Sequence, residues 1–366
     1  MAIKLRVTKE KILEGLQRVQ NVVSARSTLP ILSNVLLQAE KDAVWLTTTD
    51  LDVGVRCKVE AEVTKAGATT LPARKLFSIL KEVIASDIEI EVDEKNATAI
   101  RSGGSFFKIM GLPEEEFPRF PQSGGGKELK LAQGLFRSLL HRTAFAASND
   151  ETRYVLNGAF LSFKADKLTV VATDGRRLAL AEAEVELPKG QESEFIVPSK
   201  AVVELVRLLV DKGEAALSVG ENQLIVGLGE ATLVTKLIEG TYPNFRQVIP
   251  AEAKERIPLE REKLLGSLQR AALLTNEKTQ AVKLAFAKDK LTISANTPEV
   301  GEARETLSIN YKGKEIAIAF NPQYMMEPLR NLDADEVFLE LTDELSPGVL
   351  KINEPYLYVL MPMRLS

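Results

Sequence analysis

One pattern occurs three times in this chain, and it limits the folds available. The stretches KDAVWLTTTD at 41–50, ADKLTVVATD at 165–174 and KDKLTISANT at 288–297 each open on a Lys/Asp turn and pass into alternating apolar and threonine residues. That alternation marks a strand buried on one face. The copies are offset by 124 and 123 residues. So regular a spacing predicts that the flanking elements repeat as well.

They do. Upstream of each copy lies a helical stripe: Ile12, Leu13, Leu16 and Val19; Leu135, Phe136 and Leu139; Leu264, Leu265, Leu268 and Ala271. Each follows the i, i+1, i+4 spacing of one apolar helix face. Downstream come a strand and then Pro72, Pro198 or Pro322. Proline suits the first turn of a helix, where its missing N–H would be unpaired anyway. Second helical patterns follow, carrying Leu76, Phe77 and Leu80; Val202, Val203 and Val206; Met325, Met326 and Leu329.

The 366 residues thus divide into three units, expected at 1–122, 127–249 and 251–366. PQSGGG at 121–126 reads as a flexible linker, and Pro250–Glu255 as a short polar one. The repeat is too long for a solenoid, whose units run roughly 20–50 residues. Strands cluster between the helices instead of alternating with them, which argues against a parallel βαβ sheet. The expected class is α+β: three similar domains in series, each with two helices and two antiparallel sheets. The final YLYVLMPMRLS stays apolar almost to the end, where chains are normally polar and frayed.

The chemistry of an enzyme is hard to find. The sole histidine, His141, lies on a helical pattern with no triad partner in view. Cys57 lies in the strand-like VGVRCKVE and reads as packing. A lone cysteine excludes an internal disulfide framework and suits a reducing, cytoplasmic setting. No phosphate-binding loop, zinc-protease or nucleophile-elbow motif is present, and Gly227 and Gly229 lack the third glycine of a dinucleotide fingerprint. Asp50 and Asp52 form a D-x-D on a strand pattern, without the further acids that two-metal chemistry needs. The acidic Glu114–Glu116 reads as a solvated loop. Met1–Val7 has no apolar core of signal-peptide length, and no apolar run approaches a membrane span. Neither cofactor, metal nor catalytic residue is expected, and a binding or scaffold protein is the favoured class.

The basic residues say more. The net charge of −4 gives no global attraction to nucleic acid. Yet Arg18, His141 and Arg270 occupy equivalent positions, as do Lys11 and Lys263, and Arg74, Lys75, Lys81, Lys200, Arg207 and Arg330 fall on the second helices. One basic helix face is usually only solvated. Recurrence across six helices points to a shared surface that meets phosphate backbone without reading sequence.

Several longer stretches carry a resemblance. STLPILSN at 27–34, TLPARK at 70–75, RYVLNG at 153–158, ATDGRRLA at 172–179, TYPNFRQVIP at 241–250, LLTNEK at 273–278 and YVLMPMRL at 358–365 span the whole chain. Their residues and order resemble the β subunits of bacterial DNA polymerase III, the β sliding clamps. The resemblance implies three clamp domains per chain and a head-to-tail homodimeric ring. Its helices would line a hole threaded by double-stranded DNA, held without sequence preference. It implies a non-catalytic processivity factor in the bacterial cytoplasm, at the nucleoid. The partners would be the replicative polymerase, the clamp loader, other polymerases and repair proteins, with no membrane.

Site residues follow from matched positions. Arg26, Arg74 and Tyr154 match DNA-contacting positions, and Lys200 from the basic set is grouped with them. Phe107 and Ile109 match one side of the ring interface; Leu273 and Leu274 match the other. A pocket for partner peptides, between the second and third domains, is implied at Leu156, Thr173, Gly175, Arg176, Arg177, Leu178, Pro243, Val248, Ser346, Val359, Met361, Pro362, Met363 and Arg364. Strand alternation would set Val359, Met361 and Met363 on one face. The chain departs from the pattern at Asp150, Val155, Arg176, Gln247 and Ser366. Two other readings stay open: a three-domain scaffold that forms no ring, and an enzyme with an unrecognised acidic site.

Overall fold

The computed structural model describes residues 3–23, 29–121, 127–276, 280–298 and 300–364. Among them are six α-helices: α1 (Lys9–Val19), α2 (Ala73–Glu82), α3 (Gln133–His141), α4 (Ser199–Leu208), α5 (Arg261–Ala272) and α6 (Pro322–Asn331). The chain forms two compact units, residues 1–137 with 200–237 and residues 138–199 with 238–366. The cut falls inside α3 and at the start of α4, so the central repeat contributes to both.

Each unit is built on an eight-stranded sheet. In the first unit the order is Lys127–Ala132, Glu214–Val219, Gln223–Leu228, Ala231–Lys236, Val53–Glu60, Ala43–Thr49, Asn34–Glu40, Gly67–Pro72. In the second it is Glu255–Glu260, Glu336–Leu341, Gly348–Lys351, Tyr356–Leu360, Arg177–Glu184, Lys167–Thr173, Gly158–Lys164, Ser193–Pro198. Each repeat does supply strands to two antiparallel sheets, as expected. The expectation missed that neighbouring repeats fuse theirs. Ala231 pairs with Cys57 at one seam and Leu178 with Val359 at the other. Fusion removes two edges at each seam that would otherwise expose unpaired backbone groups. Two smaller sheets complete the units. The first unit adds Glu62–Lys65, Ile3–Thr8, Asp87–Val92, Ala97–Ser102 and Ser105–Met110; the second adds Gly301–Ser308, Lys290–Thr297, Val282–Ala287 and Ile316–Phe320.

The helices pack broadly as their stripes predict, but Phe77 on α2 and Leu135 on α3 are only half-buried, and α1 and α4 depart further. On α1, Ile12, Leu16 and Val19 are buried, but Leu13 is only half-buried and Gly15 takes its place. A Cβ on Gly15 would lie 2.4 Å from Val59 Cγ2, so glycine lets the helix approach the sheet. On α4 the buried stripe is Ala201, Val202, Leu205 and Leu208, and Val203 is 62% exposed. The helix is turned so that its stripe starts one residue earlier than the valines suggest. Pro72 and Pro198 end their strands one residue before α2 and α4, and Pro322 opens α6, where Asn321 Oδ1 accepts from the backbone N–H of Gln323 and Tyr324.

Asp50 and Asp52 stand in a turn between strands, not on one. Asp50 Oδ1 accepts from the backbone N–H of Asp52 and Val53, and the two carboxylates pair with Lys200 and Lys236. No cluster able to hold a metal occurs among the described residues. Burial pushes the Cys57 thiol above its usual pKa, which fits packing and not nucleophilic use. Glu114–Glu116 form one 3-10 turn, with Glu115 and Glu116 exposed. Of PQSGGG, residues 122–126 lie outside the described residues. Among the described residues no helix is long and apolar enough to cross a membrane.

Candidate functional site

The ATDGRRLA stretch makes a tight turn in the second unit. Thr173 Oγ1 donates to the Arg177 carbonyl at 2.6 Å and accepts from Gly175 N at 3.1 Å. Asp174 Oδ1 accepts from the backbone N–H of Arg176 and Arg177. Gly175 has φ +85, a conformation that glycine adopts without steric cost.

The two arginines then part. Arg176 is exposed, but Arg177 is only 8% exposed. Its Nε donates to Asp174 Oδ2 at 3.0 Å, its Nη2 to the Phe145 carbonyl at 2.8 Å, and its Nη1 pairs with Glu327. Its guanidinium lies 4.3 Å from the centre of the Tyr324 ring. Arg177 therefore pins the turn to α6, and Arg176 is the cation left at the surface. Replacing Arg177 by alanine leaves Asp174 and Glu327 without their cation. Breaking such a buried pair costs about 3–5 kcal/mol, and Glu327 at 33% side-chain exposure sets the expectation at the lower end. Equilibrium urea denaturation measures it; a loss under about 1 kcal/mol, the surface-pair range, would show that the acids are adequately solvated without the arginine.

Beside this turn, Leu156, Leu178 and Val359 join Val171, Leu180, Ile196, Tyr242 and Val349 in one apolar cluster. Phe160 stacks on Tyr242 at 5.0 Å between ring centroids and meets Phe245 at 6.1 Å. Pro243 and Val248 are exposed on the same segment as Tyr242 and Phe245. Ser346 is half-buried and donates through both its backbone N–H and its hydroxyl to Asp343. The C-terminal strand stops at Leu360, earlier than alternation suggested. Met361 N donates to the Arg176 carbonyl at 3.0 Å and Met363 N to the Ala319 carbonyl at 2.7 Å. The tail thus leaves the sheet, and the single strand face expected for Val359, Met361 and Met363 does not form. Val359 is buried, Met361 is 45% exposed, Pro362 and Met363 are half-buried, and Arg364 is exposed. A polar cleft of about 420 Å³ adjoins the turn, lined by Ser148, Asp150, Arg153, Arg176, Tyr324 and Glu327 among others. Sequence reasoning missed Phe160, Tyr242, Phe245 and Val349. Tyr242 and Phe245 lie inside TYPNFRQVIP and could have been read there; Phe160 and Val349 look like ordinary strand residues.

The basic residues behave differently from expectation. Lys11 pairs with Glu60, Arg18 with Glu14, Lys200 with Asp50, Arg207 with Glu204, Lys263 with Glu260 and Arg270 with Glu305. Arg207 also donates to the carbonyls of Gln17 and Arg18 at the end of α1. Arg74, Lys75 and Lys81 on α2 are exposed and make no ion pair among the described residues. Arg330 on α6 is likewise exposed without an ion pair among the described residues, so α2 carries three of these four unpaired cations. Tyr154 is half exposed, Val155 packs on the apolar cluster, and Arg26 lies outside the described residues. Asp150 caps its own 3-10 turn, where bonds from the Thr152 hydroxyl and backbone N–H hold its carboxyl below the usual pKa.

Two sheet edges complete the picture. Ser105–Met110 ends the five-stranded sheet, with Phe107 and Ile109 half-buried and Phe106 and Met110 exposed; the last two were not anticipated. Gly301–Ser308 ends the four-stranded sheet. Leu273, just past α5, is 77% exposed. Leu274 is half-buried, and its Cδ1 would lie 3.9 Å from a Cβ on Gly301.

Comparison with known proteins gives these features a setting. Sequence profiles of the DNA polymerase III beta subunit match in order: the N-terminal domain over residues 3–121, the central domain over 130–244 and the C-terminal domain over 246–364. The beta sliding clamp of Chlamydia pneumoniae is 35% identical over 363 residues, covering 99% of each chain. That of Pseudomonas putida is 36% identical over 365 residues, covering 98% of this chain and 99% of its own. Sliding clamps solved bound to griselimycin, from Bartonella birtlesii and Pseudomonas aeruginosa, superpose with TM-scores of 0.94 at 34% and 35% identity, over the full length of both chains. With three clamp domains matched in series and relatives aligned almost end to end, the chain belongs to the DNA polymerase III β subunit family, the β sliding clamps, and is a DNA polymerase processivity clamp.

Proposed function

We propose that two copies of this chain close head to tail into a ring around double-stranded DNA, and that the ring tethers the replicative polymerase without catalysing any step itself. The observation that carries the reading is the pair of unlike sheet edges. Ser105–Met110 presents Phe106, Phe107, Ile109 and Met110, and Gly301–Ser308 stands beside Leu274, whose chain neighbour Leu273 is exposed. Two different edges on one chain make a heterologous contact, which closes when the rotations add up. The repeats act as domains at 1–122, 127–249 and 251–366. Arg74 and Tyr154, with Arg26 and Lys200, face the DNA; the ion pair of Lys200 with Asp50 leaves α2 as the stronger phosphate contact. The cluster around Leu178, Tyr242 and Val359, rimmed by Arg176, Val248 and Met361, receives short linear motifs from polymerases, the clamp loader and repair proteins. An apolar cleft with a few polar groups at its margin suits such segments. The work belongs in the cytoplasm, at the nucleoid.

Encirclement is tested on DNA topology. Rings loaded onto a circular duplex should stay bound through gel filtration and be lost when the circle is cut once. Binding to open duplex should be weak and fall steeply with salt, as phosphate contacts do. Retention on the cut form with free ends would replace encirclement with ordinary backbone binding.

A further inference from the structure

The first unit carries a groove that the clamp reading does not use. It lies on its eight-stranded sheet, on the face opposite α1. Leu46 and Val59 point toward Gly15 of α1, and successive strand residues point to opposite faces, which sets Trp45 and Arg56 on the other side. The groove encloses about 490 Å³ and is lined by Trp45, Arg56, Phe120, Leu217, Ile225 and Glu128 among others. Phe120 lies across the sheet here: a Cβ on Gly54 would stand 3.1 Å from its ring.

Arg56 gives the groove its character. Its guanidinium carbon lies 4.3 Å from the Trp45 ring centre. The side chain is half-buried; its Nε is buried without a hydrogen-bond partner, and Glu40 acts on its charge without forming an ion pair among the described residues. Thr47, the cross-strand neighbour of Arg56, is 1% exposed, and its hydroxyl also lacks a partner. Buried polar groups are normally satisfied, and each exception calls for a reason. A partly desolvated cation stacked on an aromatic ring, with its buried Nε short of an acceptor, is one half of a charge-assisted contact.

The repeat supplies a second, independent argument. The aromatic–Pro–x–Phe run of FPRFP at 117–121 recurs as YPNFR at 242–246. Phe117 and Tyr242, at its head, are both buried. Phe120 lines this groove as Phe245 packs on the apolar cluster of the second unit. The strand pairs beneath, 43–49 with 53–60 and 167–173 with 177–184, are copies of one another. Groove and pocket are thus built from the same parts, one with an unpaired arginine at its floor and the other with an apolar floor.

We propose that this groove is a second docking site, which takes an extended partner segment carrying a carboxylate beside an apolar side chain. The apolar group packs on Phe120, Leu217 and Ile225, and the carboxylate accepts from Arg56. Glu128 repels an acid at its own end, so the carboxylate has one place to bind. The site stands or falls separately from the ring and from the C-terminal pocket.

Trp45 is the sole tryptophan of the chain, so its emission reports directly on the groove. The probes are N-acetyl-Leu-Asp-Phe-amide and its Asn counterpart, titrated into the full chain. The Asp peptide should give a saturable change in emission, and the Asn peptide should bind about tenfold more weakly, the scale of one hydrogen bond to a charged group. Arg56→Gln should bring the Asp peptide down to the level of the Asn peptide, and deletion of Met361–Ser366 should leave the Asp curve unchanged. The proposal is overturned by no saturable change at millimolar peptide, by equal binding of the two peptides, or by a larger emission change with duplex DNA than with either. The Asp/Asn comparison needs no variant, so it decides even if Arg56→Gln does not fold.

Discussion

Leu273→Ala with Leu274→Ala should convert the proposed dimer into folded monomers. Leu273 is 77% exposed in the single chain, and its neighbour Leu274 lies beside the edge strand Gly301–Ser308. An exposed leucine costs folding little when truncated, so its effect falls on association. Full burial of a leucine stabilises by roughly 2 kcal/mol, and a head-to-tail ring of two chains buries each residue in both of its interfaces. At about 1.4 kcal/mol per tenfold in the dissociation constant, the double substitution shifts the dimer equilibrium by several orders of magnitude. Light scattering at micromolar concentration should give the dimer mass for the unmodified chain and the monomer mass for the variant, with matching circular dichroism. A monomeric unmodified chain sinks the ring and leaves a three-domain scaffold as the reading. A variant that remains dimeric moves the interface away from Leu273 and Leu274.

What the sequence made legible was local or repeated. The threefold repeat, the helix faces of α5 and α6 and the turn at Asp174-Gly175 all rest on periodicity or on residues a few positions apart. The fused sheets did not show, because an alternating strand records which face is buried and not which strand lies beside it. Nothing in ATLVTK at 231–236 names VGVRCKVE at 53–60 as its neighbour. Charge was misread in part for the same reason, although Arg18–Glu14, Arg207–Glu204 and Lys263–Glu260 lie three or four residues apart and were legible. Lys200 looked available, but its carboxylate, Asp50, is 150 positions away; Lys11 and Glu60 are 49 apart. Only α2 kept the exposed basic face that its sequence suggested. Of the residues expected to line a pocket, Leu156, Leu178 and Val359 fall together, whereas Arg177 proved to be an internal tie: Asp174 is three residues away, but Phe145, Tyr324 and Glu327 are brought to it only by the fold.

Deleting Met361–Ser366 should leave a folded dimer that no longer binds polymerase-derived peptides. The argument rests on where the last strand stops. Tyr356–Leu360 stays paired with Arg177–Ala181 on one side and Gly348–Lys351 on the other, and the cut falls beyond it. Among described contacts the truncation removes two backbone hydrogen bonds, from Met361 to Arg176 and from Met363 to Ala319. Each is worth about 0.5–1.5 kcal/mol net, against a total stability of about 5–15 kcal/mol for a typical domain. Folding therefore survives. Binding loses more, because Met361 and Met363 are the flexible apolar groups beside the Arg176 turn, and thioether side chains adapt well to varied partners. Two methionines at roughly 1.5 kcal/mol or more each correspond to at least about a hundredfold in affinity. Calorimetry with a polymerase-derived peptide measures the change, and light scattering of the same sample checks assembly. Undiminished affinity would remove the tail from the pocket. Loss of folding would make Met361–Ser366 part of the core, with Met363 N and the Ala319 carbonyl as the bond that the second unit cannot spare.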